Sequence, residues 1–134
     1  MLSNKKIGFV GGGNMTEALV KGLVAAPSVD SKNICVSDLL SERLEYLSRK
    51  YKVKTTGDNR ELVQKSDILI LSIKPQSVKK VLESFVDLVD DSKIVISVAA
   101  GIPISLIEGT LDTEGKKKIS VIRTMPNTPA LVQE

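Results

Sequence analysis

Apolar residues in this chain fall into short unbroken runs, separated by stretches in which they recur at helical spacing. The first run, Lys6-Ile7-Gly8-Phe9-Val10, stops at Gly11-Gly12-Gly13 and predicts a buried strand ending in a tight turn. From Asn14 onward, apolar or small residues recur at Met15, Ala18, Leu19, Gly22 and Leu23, a helical period that Pro27 closes. A second strand, Ile34-Cys35-Val36, ends at Ser37-Asp38, and Ser41 is expected to cap a helix whose inner face is Leu44, Leu47 and Tyr51. Val53-Lys54-Thr55 reads as a short third strand. Asp58 or Asn59 then caps a brief helix through Val63.

The run from Asp67 to Ile73 is nearly continuous in apolar residues, so this strand is expected to be covered on both faces, as at the centre of a parallel sheet. Pro75 ends it and opens a helix carrying Val78, Val81, Leu82 and Phe85. Ile94 to Val98 repeats the buried-strand pattern, a short helix follows from Pro103 to Glu108, and a last strand covers Ile119 to Ile122. Strands alternating with helices in this way predict an α/β, Rossmann-type doubly wound parallel sheet with right-handed crossovers, a single domain over residues 1–134. The chain stops at Thr128-Pro129-Ala130-Leu131-Val132-Gln133-Glu134 with an apolar run just begun, as expected of a piece of a longer chain.

Composition removes several chemistries. There is no His, hence neither the usual general base nor the commonest metal ligand, and no metal site is expected. One cysteine, Cys35, allows no intramolecular disulfide and fits a reducing compartment. Nineteen basic residues against 16 acidic, well mixed, with two Tyr, two Phe and no Trp, make no nucleic-acid footprint. The basic run Lys116-Lys117-Lys118 reads as a solvated turn before the last strand. The uncharged stretch from Ile94 to Ile107 falls short of the ~18 apolar residues of a membrane span, and Met1 to Val10 does not have the pattern of a signal peptide. A cytoplasmic protein with neither membrane nor nucleic-acid partners is expected.

The residues with chemical content sit where strands hand over to helices. In Gly11-Gly12-Gly13-Asn14-Met15-Thr16, Gly11 permits the turn and Gly13 lets backbone approach a pyrophosphate. The following helix N-terminus offers it free N–H groups. Thr16 stands where the G-x-G-x-x-G pattern has its third glycine and should push the helix slightly off the strand, although a small residue still fits. Asp38 either accepts the adenosine ribose hydroxyls, favouring NAD, or merely caps the next turn; Ser37, Ser41 and Arg43 could instead hold a 2′-phosphate. Ser72-Ile73-Lys74-Pro75 and Val98-Ala99-Ala100-Gly101 follow central strands, where open α/β sheets bind ligands, although Lys74 reads equally well as a solvated lysine. Met125-Pro126-Asn127-Thr128-Pro129 is a stiff loop, either plain turn chemistry or a wall beside a reactive ring.

Four segments together resemble pyrroline-5-carboxylate reductase. They are Ile7 to Met15, Ile73-Lys74-Pro75, Ser97 to Gly101, and Ile122-Arg123-Thr124-Met125-Pro126-Asn127-Thr128-Pro129. The resemblance implies reduction of the cyclic imine 1-pyrroline-5-carboxylate to L-proline with NADPH or NADH, the last step of proline biosynthesis. It implies that Val10, Gly11, Gly12, Gly13, Asn14 and Met15 line the pyrophosphate and that Asn59 matches an asparagine at the adenosine end. Asp38 falls where many family members carry a small hydroxyl residue, a departure in the NAD direction. Ser72, Ile73, Lys74, Pro75, Val98, Ala99 and Ala100 would follow the cofactor toward nicotinamide, with Asn127, Thr128 and Pro129 near the reacting ring. In the family a helical C-terminal domain mediates dimerisation and supplies most of the substrate pocket. The catalytic residues are therefore expected in that domain, which these residues do not include, and the full-length protein is expected to be a homo-oligomer. Competing readings are another two-domain dehydrogenase of the 3-hydroxyacid or prephenate type, or a non-catalytic dinucleotide-sensing protein on the same scaffold.

Overall fold

Each apolar run forms a parallel strand, and each amphipathic stretch lies across the sheet the strands make. The structure, a computed structural model, describes residues 4–112, 114–115 and 117–124. In chain order its elements are β1 (Ile7–Val10), α1 (Asn14–Ala25), β2 (Ile34–Ser37), α2 (Ser41–Tyr51), β3 (Lys54–Thr56), α3 (Asn59–Lys65), β4 (Ile68–Leu71), α4 (Val78–Glu83), β5 (Ile94–Ser97), α5 (Ile104–Leu111) and β6 (Ser120–Arg123). The six strands run in the order β3-β2-β1-β4-β5-β6, with Ile7 opposite both Ile34 and Ile68. Every pairing is parallel. This is the doubly wound arrangement, with its reversal of strand order between β1 and β4.

The continuous apolar character of the strands follows from a core on each face. On one side Leu62, Leu69, Leu71, Leu82, Phe85 and Ile107 pack together under α3, α4 and α5. On the other, Phe9, Val20, Val36, Leu44, Leu47 and Tyr51 pack under α1 and α2. Phe9 and Val10 are adjacent in β1 yet belong to opposite cores, as the period of two requires.

Several boundaries differ from the sequence reading. Ser41 is not the cap of α2: it is the first helical residue, and Leu40 occupies the cap with no side-chain bond. The competing acceptor is Asp38, whose Oδ1 takes the Leu40 N–H at 2.9 Å. At α3 the cap is Asp58, which accepts from the Arg60 N–H. The fourth strand ends at Leu71, and Pro75 opens a 3-10 turn, Pro75–Ser77, before α4 begins at Val78. Lys117 departs from the expected solvated turn. It is half-buried, and its Nζ donates to the carbonyls of Val86 and Leu111, at 2.8 and 3.1 Å.

Two close approaches set how the helices sit on β1. Thr16 fits at the contact of α1 with the glycine bend: it is fully buried and its hydroxyl donates to the Gly11 carbonyl. Gly8 lies in the middle of β1 and gives α3 its seat, because a Cβ there would overlap Ser66 Oγ and come within 2.6 Å of Leu62 Cδ2. Gly8→Ala is therefore expected to destabilise the fold by about 1–3 kcal/mol through overpacking. Gly22→Ala, whose Cβ would meet nothing within 4 Å, should be neutral or stabilising by up to about 1 kcal/mol through helix propensity. Urea unfolding of the two variants checks both signs.

Candidate functional site

Backbone bonds continue past the strand ends and gather the loops on one edge. Gly11 N donates to Ser37 O at 2.9 Å, Ser72 N to Val10 O at 2.9 Å, Val98 N to Leu71 O at 3.1 Å and Thr124 N to Ser97 O at 2.9 Å. The bends after β1 and β4 therefore face each other where the strand order reverses, the place at which open α/β sheets take ligands.

The three glycines differ in what holds them. Gly11 has φ +106°, and a side chain there would overlap the Ser72 carbonyl oxygen, so only glycine fits the turn against β4. Gly12 is gripped on both sides: its N–H donates to Asp38 Oδ2 at 2.8 Å, and its carbonyl accepts from Arg43 Nε. Gly13 is the extended cap of α1, has no capping side chain, and a Cβ on it would meet nothing within 4 Å. The mouth of the 12-residue α1 thus opens on space behind a locked bend. First-turn N–H groups and the positive end of the helix dipole favour an anion there, and a dinucleotide diphosphate fits the arrangement.

Of the two roles the sequence left open for Asp38, the turn cap is present, through Leu40 N, and the same carboxylate also holds the glycine bend, through Gly12 N. Each carboxylate oxygen keeps a further lone pair, so ribose hydroxyls remain compatible with it. Of the three residues that could hold a 2′-phosphate, Ser37 is buried and donates to Asn59 Oδ1 at 2.5 Å, Arg43 is engaged on Gly12, and Ser41 is exposed. That bond brings Asn59 to the end of β2. Ser72 and Ile73 are half-buried beside Gly11, whereas Lys74 and Pro75 are exposed. Val98 is half-buried, Ala99 is buried with its N–H on Ser97 Oγ at 3.3 Å, and Ala100 is exposed. Asn127, Thr128 and Pro129 lie outside the described residues. Among the described residues no group of three or more His, Cys, Asp or Glu is placed to hold a metal ion, and no helix is long and apolar enough to cross a membrane.

Sequence reasoning missed the cluster behind the bend. Glu17, in the first turn of α1, accepts from Arg43 Nη2 at 2.8 Å and from the hydroxyls of Tyr46 and Tyr51, both at 2.7 Å. The Arg43 guanidinium also lies 5.1 Å from the Tyr46 ring centroid. Burial works to raise the Glu17 carboxyl pKa, but the Tyr46, Tyr51 and Arg43 hydrogen bonds and the Arg43 charge prevail and hold it at about 2. The available signal was the Arg43-Tyr46-Lys50 spacing on one helical face, which places a cation and a phenol together.

A family described as NADP oxidoreductase, coenzyme F420-dependent, matches residues 6–101. The chain belongs to this oxidoreductase family. Among its relatives, pyrroline-5-carboxylate reductase of Methanosarcina acetivorans is 41% identical over 99% of this chain and 48% of its own length. The chain thus spans about half the length of the curated relatives it matches. The structure of a pyrroline-5-carboxylate reductase from Coxiella burnetii superposes with a TM-score of 0.87 at 38% identity, covering 96% of this chain and 46% of that one. Plasmodium falciparum pyrroline carboxylate reductase, solved with NADP bound, gives 0.81 at 28% identity, over 100% of this chain and 47% of that one. The likeness to pyrroline-5-carboxylate reductases therefore extends through the whole Rossmann-type sheet.

In this member of the family the Glu17 network has a pH signature. Its folded-state carboxyl sits at about 2 against an ordinary 4.5, so the stability it contributes is fully present above pH 4.5 and is lost as the pH falls toward 2. Glu17→Gln has no such proton to take up. The gap in thermal midpoint between the unsubstituted chain and Glu17→Gln is expected to be constant above pH 5 and to narrow steadily between about pH 4.5 and 2. Comparing the two chains by calorimetry removes Asp87, also held at about 2 by Arg60, from the difference.

Proposed function

We propose that this chain holds the pyridine dinucleotide of a pyrroline-5-carboxylate reductase, and that residues 1–134 are the cofactor-holding half of a longer two-domain enzyme acting on a small cyclic imine. The observation that carries the reading is the contrast among the glycines: Gly11 and Gly12 are locked, while Gly13 opens the mouth of α1 to an approaching anion. The similarity of nearly the whole chain to enzymes of that name supports the choice of reaction.

In this reading Val10 to Met15 seat the diphosphate, the N–H groups of the first turn of α1 donating to it. Asp38 orients the adenosine ribose and, carrying a negative charge, disfavours a 2′-phosphate, so NADH is preferred to NADPH. Asn59 stands at the adenosine end; Ser72 to Pro75 and Val98 to Ala100 border the path toward the nicotinamide. The bound nicotinamide supplies the hydride. A protonated imine nitrogen already makes its carbon electrophilic, so a chain without histidine meets the demand by positioning alone. Asn127, Thr128 and Pro129 stand near the reacting ring, and most of the substrate pocket, with the contacts of a homo-oligomer, belongs to the other half.

Calorimetry with NADH and NADPH tests the cofactor reading. Gly13→Val is expected to abolish the binding heat while the chain still unfolds in one transition with a slightly lowered midpoint, because a Cβ there meets nothing within 4 Å and the cost is that of a poorer helix cap. Asp38→Ser should move the affinity ratio toward NADPH. The reaction is tested on the full-length enzyme: pyrroline-5-carboxylate should drive oxidation of NADH, and no oxidation of either cofactor would remove the assignment.

A further inference from the structure

Arg43 shares Gly12 with Asp38, and both its Nε and its Nη2 are already engaged. Its Nε is on the Gly12 carbonyl and its Nη2 on Glu17 Oε1, while its plane rests near the Tyr46 ring. Glu17 in turn is fixed by two tyrosine hydroxyls and has Lys50 Nζ at 3.6 Å. The Arg43–Glu17 bridge is only about a fifth exposed, at 23% and 20% for the two side chains. Arg43 is thereby both oriented on the Gly12 carbonyl and neutralised by Glu17, while Asp38 Oδ2 holds the N–H of the same Gly12.

From this geometry we infer that Glu17 is a specificity-determining residue for the nucleotide: by holding and neutralising Arg43, it withholds from the ribose end the cation that a 2′-phosphate would need. The inference rests on the cofactor reading above. Glu17 touches no part of the nucleotide in this account; it is a positioning residue that acts through Arg43. Without its charge, Arg43 becomes an uncompensated guanidinium next to the ribose site. A guanidinium pairs with phosphate bidentately and does so better than any other side chain. Asp38 then faces an opposing charge, and the discrimination against a 2′-phosphate weakens. The pairing also explains how a carboxylate is tolerated in the first turn of α1: opposite Arg43, Glu17 adds no net negative charge where a diphosphate has to approach.

Calorimetric dissociation constants for NADH and NADPH test the inference on the whole chain, each variant first checked for an intact thermal transition. Glu17→Gln is expected to shift the NADPH-to-NADH affinity ratio toward NADPH by roughly tenfold, the size of one new charge-assisted contact. The double variant Glu17→Gln/Arg43→Met, which removes the pair as a neutral unit, is expected to return to the unsubstituted ratio. Glu45→Gln, on the exposed face of α2, removes the same charge away from Arg43 and should leave the ratio where it was. An unchanged ratio in Glu17→Gln, a gain that survives in the double variant, or an equal shift in Glu45→Gln would each overturn the inference. In the unsubstituted chain the Arg43 Nε–H resonance should respond no more to 2′-AMP than to 5′-AMP. A selective response to 2′-AMP overturns the inference without any variant having to fold. Binding of neither nucleotide by the unsubstituted chain would overturn the cofactor reading and this inference with it, whereas NADH binding with an unmoved ratio overturns the inference alone.

Discussion

A single residue, Gly12, ties the bend after β1 to the neighbouring βα unit through the two peptide groups that flank its Cα. Its N–H is held by Asp38 at the end of β2 and its carbonyl by Arg43 in the first turn of α2. The bend after β1 is therefore fixed sideways to the neighbouring βα unit as well as along its own strand. Gly11 is pressed from the other side by the Ser72 carbonyl, at the point where β4 begins the second half of the sheet. Between these two constraints the mouth of α1 has one place to be, and Gly13 is left as the position with nothing against it. A preformed anion seat costs little ordering entropy on binding, which is what a site built on backbone amides requires.

Charge around this bend is arranged in pairs. Glu17 would repel a diphosphate if it stood alone in the first turn of α1, and Arg43 would attract any phosphate within reach. Bound to each other they present neither effect, and the partial charge of the helix end is what remains to be felt. The two tyrosines on Glu17 add donors without adding charge, so the carboxylate is satisfied without a second cation buried beside it. The more exposed pair, Arg60 with Asp87, joins α3 to the turn after α4.

What could be read from the sequence was whatever depends on near neighbours or on a period. The continuous apolar strands, the alternation with helices and the turn at Gly11 all belong to that class, and the parallel six-stranded sheet follows from them. Gly8 was opaque, because the reason for it is Leu62 and Ser66 on a helix that arrives much later in the chain. That a small Thr16 would fit was legible, but not that its hydroxyl would find the Gly11 carbonyl as a partner. Ser41 had the right chemistry for a cap but lost to Asp38, which reaches the Leu40 N–H from outside the helix. The Glu17–Arg43 bridge joins residues 26 positions apart on two helices, and no periodic signal connects them.

Asp38 shows why specificity and architecture cannot be separated at this edge. The carboxylate we propose to meet the ribose is the same group that takes the N–H of Gly12 and of Leu40. A residue able only to donate, or too short to reach, would leave the Gly12 amide in search of an acceptor, and an unsatisfied buried amide costs about 1–3 kcal/mol. Substitution toward a 2′-phosphate pocket therefore loosens the bend unless another acceptor replaces Asp38 there. Arg43 still grips the carbonyl of Gly12 from the opposite side, so the loss falls on one half of the hold. Relaxing the preference through Glu17 leaves the amide half intact. Under the proposed reading the two residues act on the nucleotide by routes with different structural consequences, and the route through Glu17 on α1 leaves the Asp38–Gly12 bond in place.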